Sequence, residues 1–320
     1  MRKTILLSIC ATFLCAVSAL AGDYPARAVT VICPYNPGGA TDRIGRYFAE
    51  ALQKEIGVPF NVVNRTGGNG VTGHNALAIA RPDGYTLGLI TMDIATLKFM
   101  GLTELTPDDF ALITQCSLSI PGFMVAKDSK YRTFQEVIDD IRAKPGQLRL
   151  VGTTVSGPYD LMRLTVMKKL GLKADDVKFV PTTGGAAAVV ELMGGHADLA
   201  VVALGEAVPQ LQSGEFRCLV HSGEGRLAAF PDVSILKEIG IDVSMVASVG
   251  IGAPKDTPRA ILDFLQKKID AIRATKEFAD FLDVNGFAVG TNSGDAYAKS
   301  LAQVAIDGKE AMEYAGYLKK

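Results

Sequence analysis

The residues best suited to chemistry in this sequence sit in short loops that follow apolar runs. The most informative loop begins where Val29, Val31 and Ile32 give way to Pro34, Tyr35, Asn36, Pro37, Gly38, Gly39, Ala40, Thr41 and Asp42. Ile44, Phe48, Ala51, Leu52 and Ile56 then recur at three- and four-residue spacing, so the glycines fall where a buried strand hands over to a helix N-terminus. Such a junction suits an anion. Unpaired backbone N–H groups and the positive end of the helix dipole converge there, and glycine lets a ligand approach the main chain. An ordinary βα turn accounts for two glycines equally well. Asp42 lies in the first helical turn, where a carboxylate supports the dipole and the loop more readily than it touches an anionic ligand.

Two later loops repeat the arrangement with hydroxyls. Gly152, Thr153, Thr154, Val155, Ser156 and Gly157 precede Pro158 at an expected first helical position, and Thr182, Thr183, Gly184 and Gly185 follow an apolar run ending at Val180. Each Ser or Thr taken alone reads as a helix cap. Together they lie outside the carboxyl ends of the expected strands, where parallel sheets bind ligands, and hydroxyls with few cations suit a small carboxylate. Thr91 and Asp93 close another strand. Asp93 in a cleft would oppose a second ligand carboxylate unless it accepts a hydrogen bond from a hydroxyl or ammonium, and a cap before Ile94 explains it as readily. Asp198, at the start of a strand after Gly194, Gly195 and His196, reads as structural or as a carboxylate orienting a loop beside a cleft.

Signals for catalysis are poor. Gly68, Gly70 and Gly73 form a G-x-G-x-x-G with Asp93 20 residues further on, the spacing of a dinucleotide site. The motif follows the second expected strand rather than the first, however, and Pro82 leaves its helix little room; close packing in a tight turn is the alternative. Ser156 lacks a G-x-S-x-G setting, and His74, His196 and His221 stand apart from carboxylates or cysteines at metal-ligand spacing. Arg43 and Arg46 beside the first loop read as solvated helix-surface residues. No cofactor and no metal are expected.

The elements that must position these loops follow from the pattern. Expected strands are 29–33, 60–63, 86–90, 148–152, 177–180, 199–203, 217–221 and 243–250, alternating with helices, which predicts an α/β fold with largely parallel sheets. Thr133 with Glu136 forms a capping box, Pro258 opens another helix, and Tyr297, Leu301 and Val304 mark a C-terminal one. At 320 residues, 48% apolar and 21% charged, the chain can bury the core of two lobes. No linker or repeat separates them in series. The lobes are therefore expected to interleave, with crossings near Ile120 to Lys127 and Val246 to Pro254.

Arg2 and Lys3 precede an apolar run of 13 residues, Ile5 to Val17, and Ala19, Leu20 and Ala21 offer a signal-peptidase site, predicting export with cleavage after Ala21. The run is shorter than the ~20 residues of a membrane span. Removing two positive charges takes the net charge from −1 to −1 − 2 = −3, which argues against nucleic-acid partners. Cys33, Cys116 and Cys218 lie in apolar runs and are too few and odd in number for a disulfide framework.

Many ordered residues resemble one family, the periplasmic receptors of tripartite tricarboxylate transporters, called TctC-like or Bug-type solute-binding proteins. They include Tyr24 and Pro25, Pro34 to Asp42 with Arg46, Asn64 and Arg65, and Gly67, Gly68, Gly70 and Gly73. The run Pro82 to Leu87 continues the likeness, as do Pro145, Gly146, Pro181, Gly184, Pro231, Gly240 and Pro254.

The resemblance implies a type II periplasmic binding protein fold. A ligand closes between two interleaved lobes in a hinge-bending cleft, with one lobe from 22–122 plus 249–320 and the other from 123–248. By position, Pro37, Gly38, Gly39, Ala40 and Thr41 would form one jaw; Thr153, Ser156, Thr182, Thr183 and Gly184 would contribute the other. It further implies a monomeric, non-enzymatic receptor that passes a small organic carboxylate to membrane permease subunits. Two other functions remain open: presenting the closed form to a sensor kinase, or an exported dinucleotide-dependent enzyme. Thr182, Thr183 and Ala187, with Thr91, Met92 and Asp93, depart from the family pattern, so the family name alone does not select citrate.

Overall fold

The computed structural model describes residues 24–318, so the expected leader and its cleavage site lie outside the described residues. Two mixed sheets carry the fold. The first contains β1 (Val29–Cys33), β2 (Phe60–Asn64), β3 (Thr86–Thr91), β4 (Phe110–Ser119), β10 (Ala247–Pro254) and β11 (Phe287–Val289), in the order β11-β4-β10-β3-β1-β2. The second contains β5 (Pro121–Ala126), β6 (Arg149–Gly152), β7 (Lys178–Pro181), β8 (Leu199–Ala203) and β9 (Phe216–His221), in the order β7-β6-β8-β5-β9. The helices are α1 (Ala40–Ile56), α2 (Val71–Ala78), α3 (Phe134–Ala143), α4 (Pro158–Lys169), α5 (Gly185–Met193), α6 (Val208–Gln212), α7 (Arg259–Arg273), α8 (Lys276–Val284) and α9 (Gly294–Ala315).

The sheets are less parallel than the sequence pattern predicts. β1 pairs in parallel with β2 and β3, and β6 with β7 and β8, but β10 runs antiparallel to β3 and β4, and β5 antiparallel to β8 and β9. Each parallel pair needs a helical crossover, whereas a strand that enters directly from the other sheet does not. β4 and β5 are such strands: only Ile120 separates them. Neither was among the expected strands. β4 hides because Thr114, Gln115, Ser117 and Ser119 are polar yet buried. The last expected strand is displaced, running over Ala247–Pro254 rather than from residue 243.

Packing follows the two-residue alternation of the strands. In the first sheet, Val29, Val31, Leu87 and Leu89 bury against Ile44, Phe48 and Leu52 of α1 and Leu265 and Ile269 of α7. Ile32 and Ile90 face the other way, toward Leu77 of α2 and Tyr297 and Leu301 of α9. In the second sheet, Leu150, Leu199 and Val201 face one core while Val151, Ala200 and Val202 face another. The capping box of α3 forms as expected, Thr133 Oγ1 accepting from the Glu136 amide at 3.3 Å and the Glu136 carboxylate accepting from the Thr133 amide at 3.1 Å. Cys33, Cys116 and Cys218 are buried free thiols.

Helix α9 joins the two sheets' bodies. Its first half packs beneath β3, with the Tyr297 hydroxyl donating to the Ile90 carbonyl at 3.0 Å. Its second half lies on α4, where Ala311 and Met312 meet Leu161 and Leu164, and Tyr314 donates to the Leu172 carbonyl.

The Gly68 to Gly73 cluster serves packing. α2 opens on Gly70 in the left-handed region, and a Cβ at Gly73 would stand 2.6 Å from Pro34 Cα and 2.9 Å from the Arg65 carbonyl oxygen. The missing side chain lets α2 lie against the start of the first loop. Gly73→Ala is therefore expected to cost about 1–3 kcal/mol, since backbone rather than a flexible side chain must give way. Chemical denaturation of the purified variant would measure it; unchanged stability would refute the packing role.

Candidate functional site

The loops after β1, β3, β6, β7 and β8 converge on one cavity of about 540 Å³ between the two sheets. From the first lobe, Tyr35, Pro37, Gly38, Gly39, Ala40 and Thr41 line it, joined by Thr91 and Asp93. Across from them stand Thr153, Thr154, Thr183 and Gly184. Every one of these was expected from the sequence. Its floor comes from the crossing strands, through Ser119 at the end of β4 and Ala247, Ser248 and Val249 of β10.

The first jaw is held by a carboxylate beneath it. Gly38 takes a left-handed conformation (φ 81°), which glycine adopts without strain, and its amide donates to Asp42 Oδ2 at 2.8 Å. Arg46 Nε and Asn64 Nδ2 donate to the same carboxylate, each at 2.8 Å. Burial works against charging Asp42, yet the Arg46, Gly38 and Asn64 hydrogen bonds outweigh it and hold the carboxyl below its ordinary value. The helix cap, Gly39, brings no side chain to the first-turn amides of α1. Those amides are left for whatever enters the cavity.

The second lobe repeats the device. Ser156 occupies the left-handed region (φ 57°), its amide donates to Asp160 Oδ2 at 2.9 Å, and Gly157 caps α4 without a side-chain bond. Arg163 pairs with Asp160 at 2.7 Å, both side chains fully buried, and its guanidinium lies 4.7 Å over the Phe179 ring. The two loops thus share one plan, a left-handed residue, a capping glycine and an aspartate three residues beyond it.

Four residues named from the sequence as candidates for the site lie off the cavity, Asp42 and Asp198 among them in the structural places the sequence also offered. Asp42 is 1% exposed beneath the loop rather than on the cavity. Ser156 does not line the cavity either; it is 3% exposed, with its amide spent on Asp160. Thr182 Oγ1 sits between the Gly152 and Gly184 carbonyls at 2.8 and 2.9 Å, tying β7 to β6. Asp198 lies at the amino end of β8, opposite the cavity, where it accepts from Arg149 Nη2 at 2.9 Å and from the Arg149 amide at 2.9 Å.

Sequence reasoning missed the groups that set the cavity's charge. Arg43 is not a solvated surface residue. Its guanidinium donates to Asn285 Oδ1 at 2.7 Å and to the Gly205 carbonyl at 3.2 Å, and lies 5.1 Å from the Phe287 ring centre. Glu206, just past β8, accepts from the Ala203 amide at 3.2 Å. Burial raises its carboxyl to about 7, with the Ala203 and Gly185 amides, Arg43 and Tyr159 pulling the other way. Asp93, 7% exposed, is also raised by burial, and the Tyr35 and Thr91 hydroxyls partly offset it. The rule that ligand sites gather at strand carboxyl ends points to Glu206; nothing in the sequence marks Arg43.

Two lobes around a cleft, with uncapped helix N-termini aimed into it, define a two-lobed solute-binding protein. Residues 44–312 match the model of the tripartite tricarboxylate transporter family receptor, TctC, and the chain belongs to that family. It is similar to the UPF0065 protein in the gbd 5′ region of Cupriavidus necator, 30% identical over 309 residues, 94% of this chain and 91% of that one. BugT of Bordetella pertussis is 27% identical over 297 residues, 89% of this chain and 90% of BugT. A ligand-free TctC solute-binding protein from Polaromonas superposes with a TM-score of 0.74 at 29% identity, covering 91% of this chain and 99% of that chain. The fold also matches Rpa4515 of R. palustris with adipate (TM-score 0.84, 22% identity, 92% and 99% covered) and MatC of Rhodopseudomonas palustris with bound malate (0.75, 21%, 92% and 100%).

Two predictions follow from the site's electrostatics. Asp42→Ala strips three donors of a charged acceptor and is expected to cost about 3 kcal/mol, read by denaturant unfolding; a loss under about 0.5 kcal/mol would remove Asp42 as the loop's anchor. Glu206 keeps its proton in the native state from its ordinary range up to about 7, while the unfolded chain loses it, so its contribution to stability falls as pH rises through that window. Glu206→Gln is expected to gain on the order of 1–2 kcal/mol relative to the parent between pH 5 and pH 8, after allowance for its contact with the cavity. Melting curves of both proteins across that range would show it, and parallel curves would contradict it.

Proposed function

We propose that the protein is an exported, monomeric receptor that captures a small organic carboxylate between its lobes and delivers it unchanged to the membrane subunits of a tripartite tricarboxylate-type transporter. The single observation that carries this reading is the uncapped first turn of α1 opening onto a cavity shared by both lobes. Two proteins with this fold, one described with adipate and one with bound malate, support the ligand class. In this reading the lobes span 22–122 with 249–320 and 123–248, and the leader is removed after Ala21. Only closure lets both jaws touch the ligand, so binding draws the population toward the closed form by its differential affinity.

Gly39→Val gives a clean test. Gly39 has an ordinary backbone (φ −70°), and a Cβ there would meet only the Asn36 carbonyl oxygen, at 3.5 Å. The fold should survive while the side chain crowds the seat at the head of α1. Thermal-shift measurements against a panel of mono-, di- and tricarboxylates are expected to find at least one that raises the melting temperature of the parent and not of Gly39→Val. Binding retained by the variant would move the ligand away from this loop; no response from any acid would overturn the carboxylate reading.

A further inference from the structure

The helix N-termini at the cleft are not equivalent. α1 and α4 begin at Gly39 and Gly157, with no side chain on their first-turn amides. α5 begins at Gly184, equally bare, yet a carboxylate already sits there. The Glu206 carboxyl lies against Gly185 and, through Oε2, accepts from the Ala203 amide at 3.2 Å. The seat is built for it: a Cβ on Gly185 would stand 2.0 Å from the Glu206 carboxyl carbon.

A second carboxyl, Asp93, lines the same cavity from the other lobe. Asp93 lies beside the hydroxyls of Tyr35 and Thr91, and all three residues line the cavity. The Tyr159 hydroxyl stands within the field of both carboxyls, which together with burial push it well up. Arg43 is the one cation on the cavity among the described residues; its Nη1 and Nη2 donate to Asn285 and Gly205, and its Nε is buried without a partner. A diacid bound with one end on α1 would set its other end against Asp93 and Glu206, a third carboxylate beside two carboxyls with Arg43 as the one cation lining the cavity. An ammonium placed there would instead find two acceptors.

We infer that Glu206 fills the second anion seat of the cleft in place of a ligand carboxylate, so that the site takes a carboxylate bearing a protonated amine, its carboxylate on α1 and its ammonium between Asp93 and Glu206. The inference rests on the carboxylate-receptor reading and narrows it. Glu206 and Asp93 then act as specificity residues, selecting against a second negative end.

Matched pairs that differ only in that end supply the test: β-alanine against succinate, 4-aminobutyrate against glutarate, 5-aminovalerate against adipate, and 2-aminobutyrate against ethylmalonate. Isothermal titration of the purified protein at pH 7.5 is expected to show the amine of at least one pair binding about tenfold or more tighter than its diacid. Glu206→Gln, which keeps an acceptor for the Ala203 amide, should erase most of that ratio. Glu206→Ala, which empties the seat, should strengthen diacid binding. Where the alanine variant fails to fold by circular dichroism, the glutamine variant decides. A diacid binding as tightly as its amine partner, or a ratio unmoved by Glu206→Gln, would overturn the inference while leaving the receptor reading intact. Absence of heat from every compound would sink both.

Discussion

The site depends on one interaction used twice: a first-turn aspartate that accepts the amide of a left-handed residue in its own preceding loop. Asp42 takes the Gly38 amide and Asp160 takes the Ser156 amide. Each lock fixes the loop's path at the head of its helix. A negative charge so near an anion's seat is costly unless balanced, and each lobe balances it differently. Arg46 does so at the surface of the first lobe, with Asn64 as a second donor, while Arg163 does so in the interior of the second. The buried pair is the more demanding solution, because a partner lost there strands a charge that water cannot reach.

Much of this was legible in the sequence, for a physical reason. Strands buried on both faces appear as continuous apolar runs, and loops that follow them at carboxyl ends declare themselves by glycine and hydroxyl content. The loop at Tyr35 to Thr41, the threonines at 153 and 154, and Thr183 with Gly184 were found this way, and all reach the cavity. The repeated lock was not found, because Gly38-Gly39 and Ser156-Gly157 share only a backbone conformation and the spacing to an aspartate. β4 went unseen since its buried face is polar, Thr114 reaching Asp270 and Ser293 rather than solvent. Arg43 was misread because a helix-surface position says nothing about which other element packs over it.

The lobes meet where side chains are absent. Gly205 and Gly286 approach so closely that a Cβ on Gly205 would stand 2.2 Å from the Asn285 carbonyl oxygen, and one on Gly286 would stand 2.9 Å from Gly205 Cα. Arg43 spans this same junction, bonded to Asn285 on one side and Gly205 on the other. The crossing at Ile120 lies beside it, since Phe287 pairs with Ser119 at the end of β4 and the Leu204 amide donates to the Ile120 carbonyl.

That placement bears on how binding and closure are coupled. Glu206 follows Gly205 directly, so the carboxylate lying against the head of α5 is one residue from this contact, and Arg43 lies within its field. A ligand cation reaching Glu206 would offset the desolvation that now lifts its carboxyl, and the charge restored there would strengthen its attraction to Arg43 across the junction. Binding chemistry and lobe geometry would then act through the same two side chains. No separate relay would be required: the residue inferred to read the ligand is also the one within the field of Arg43.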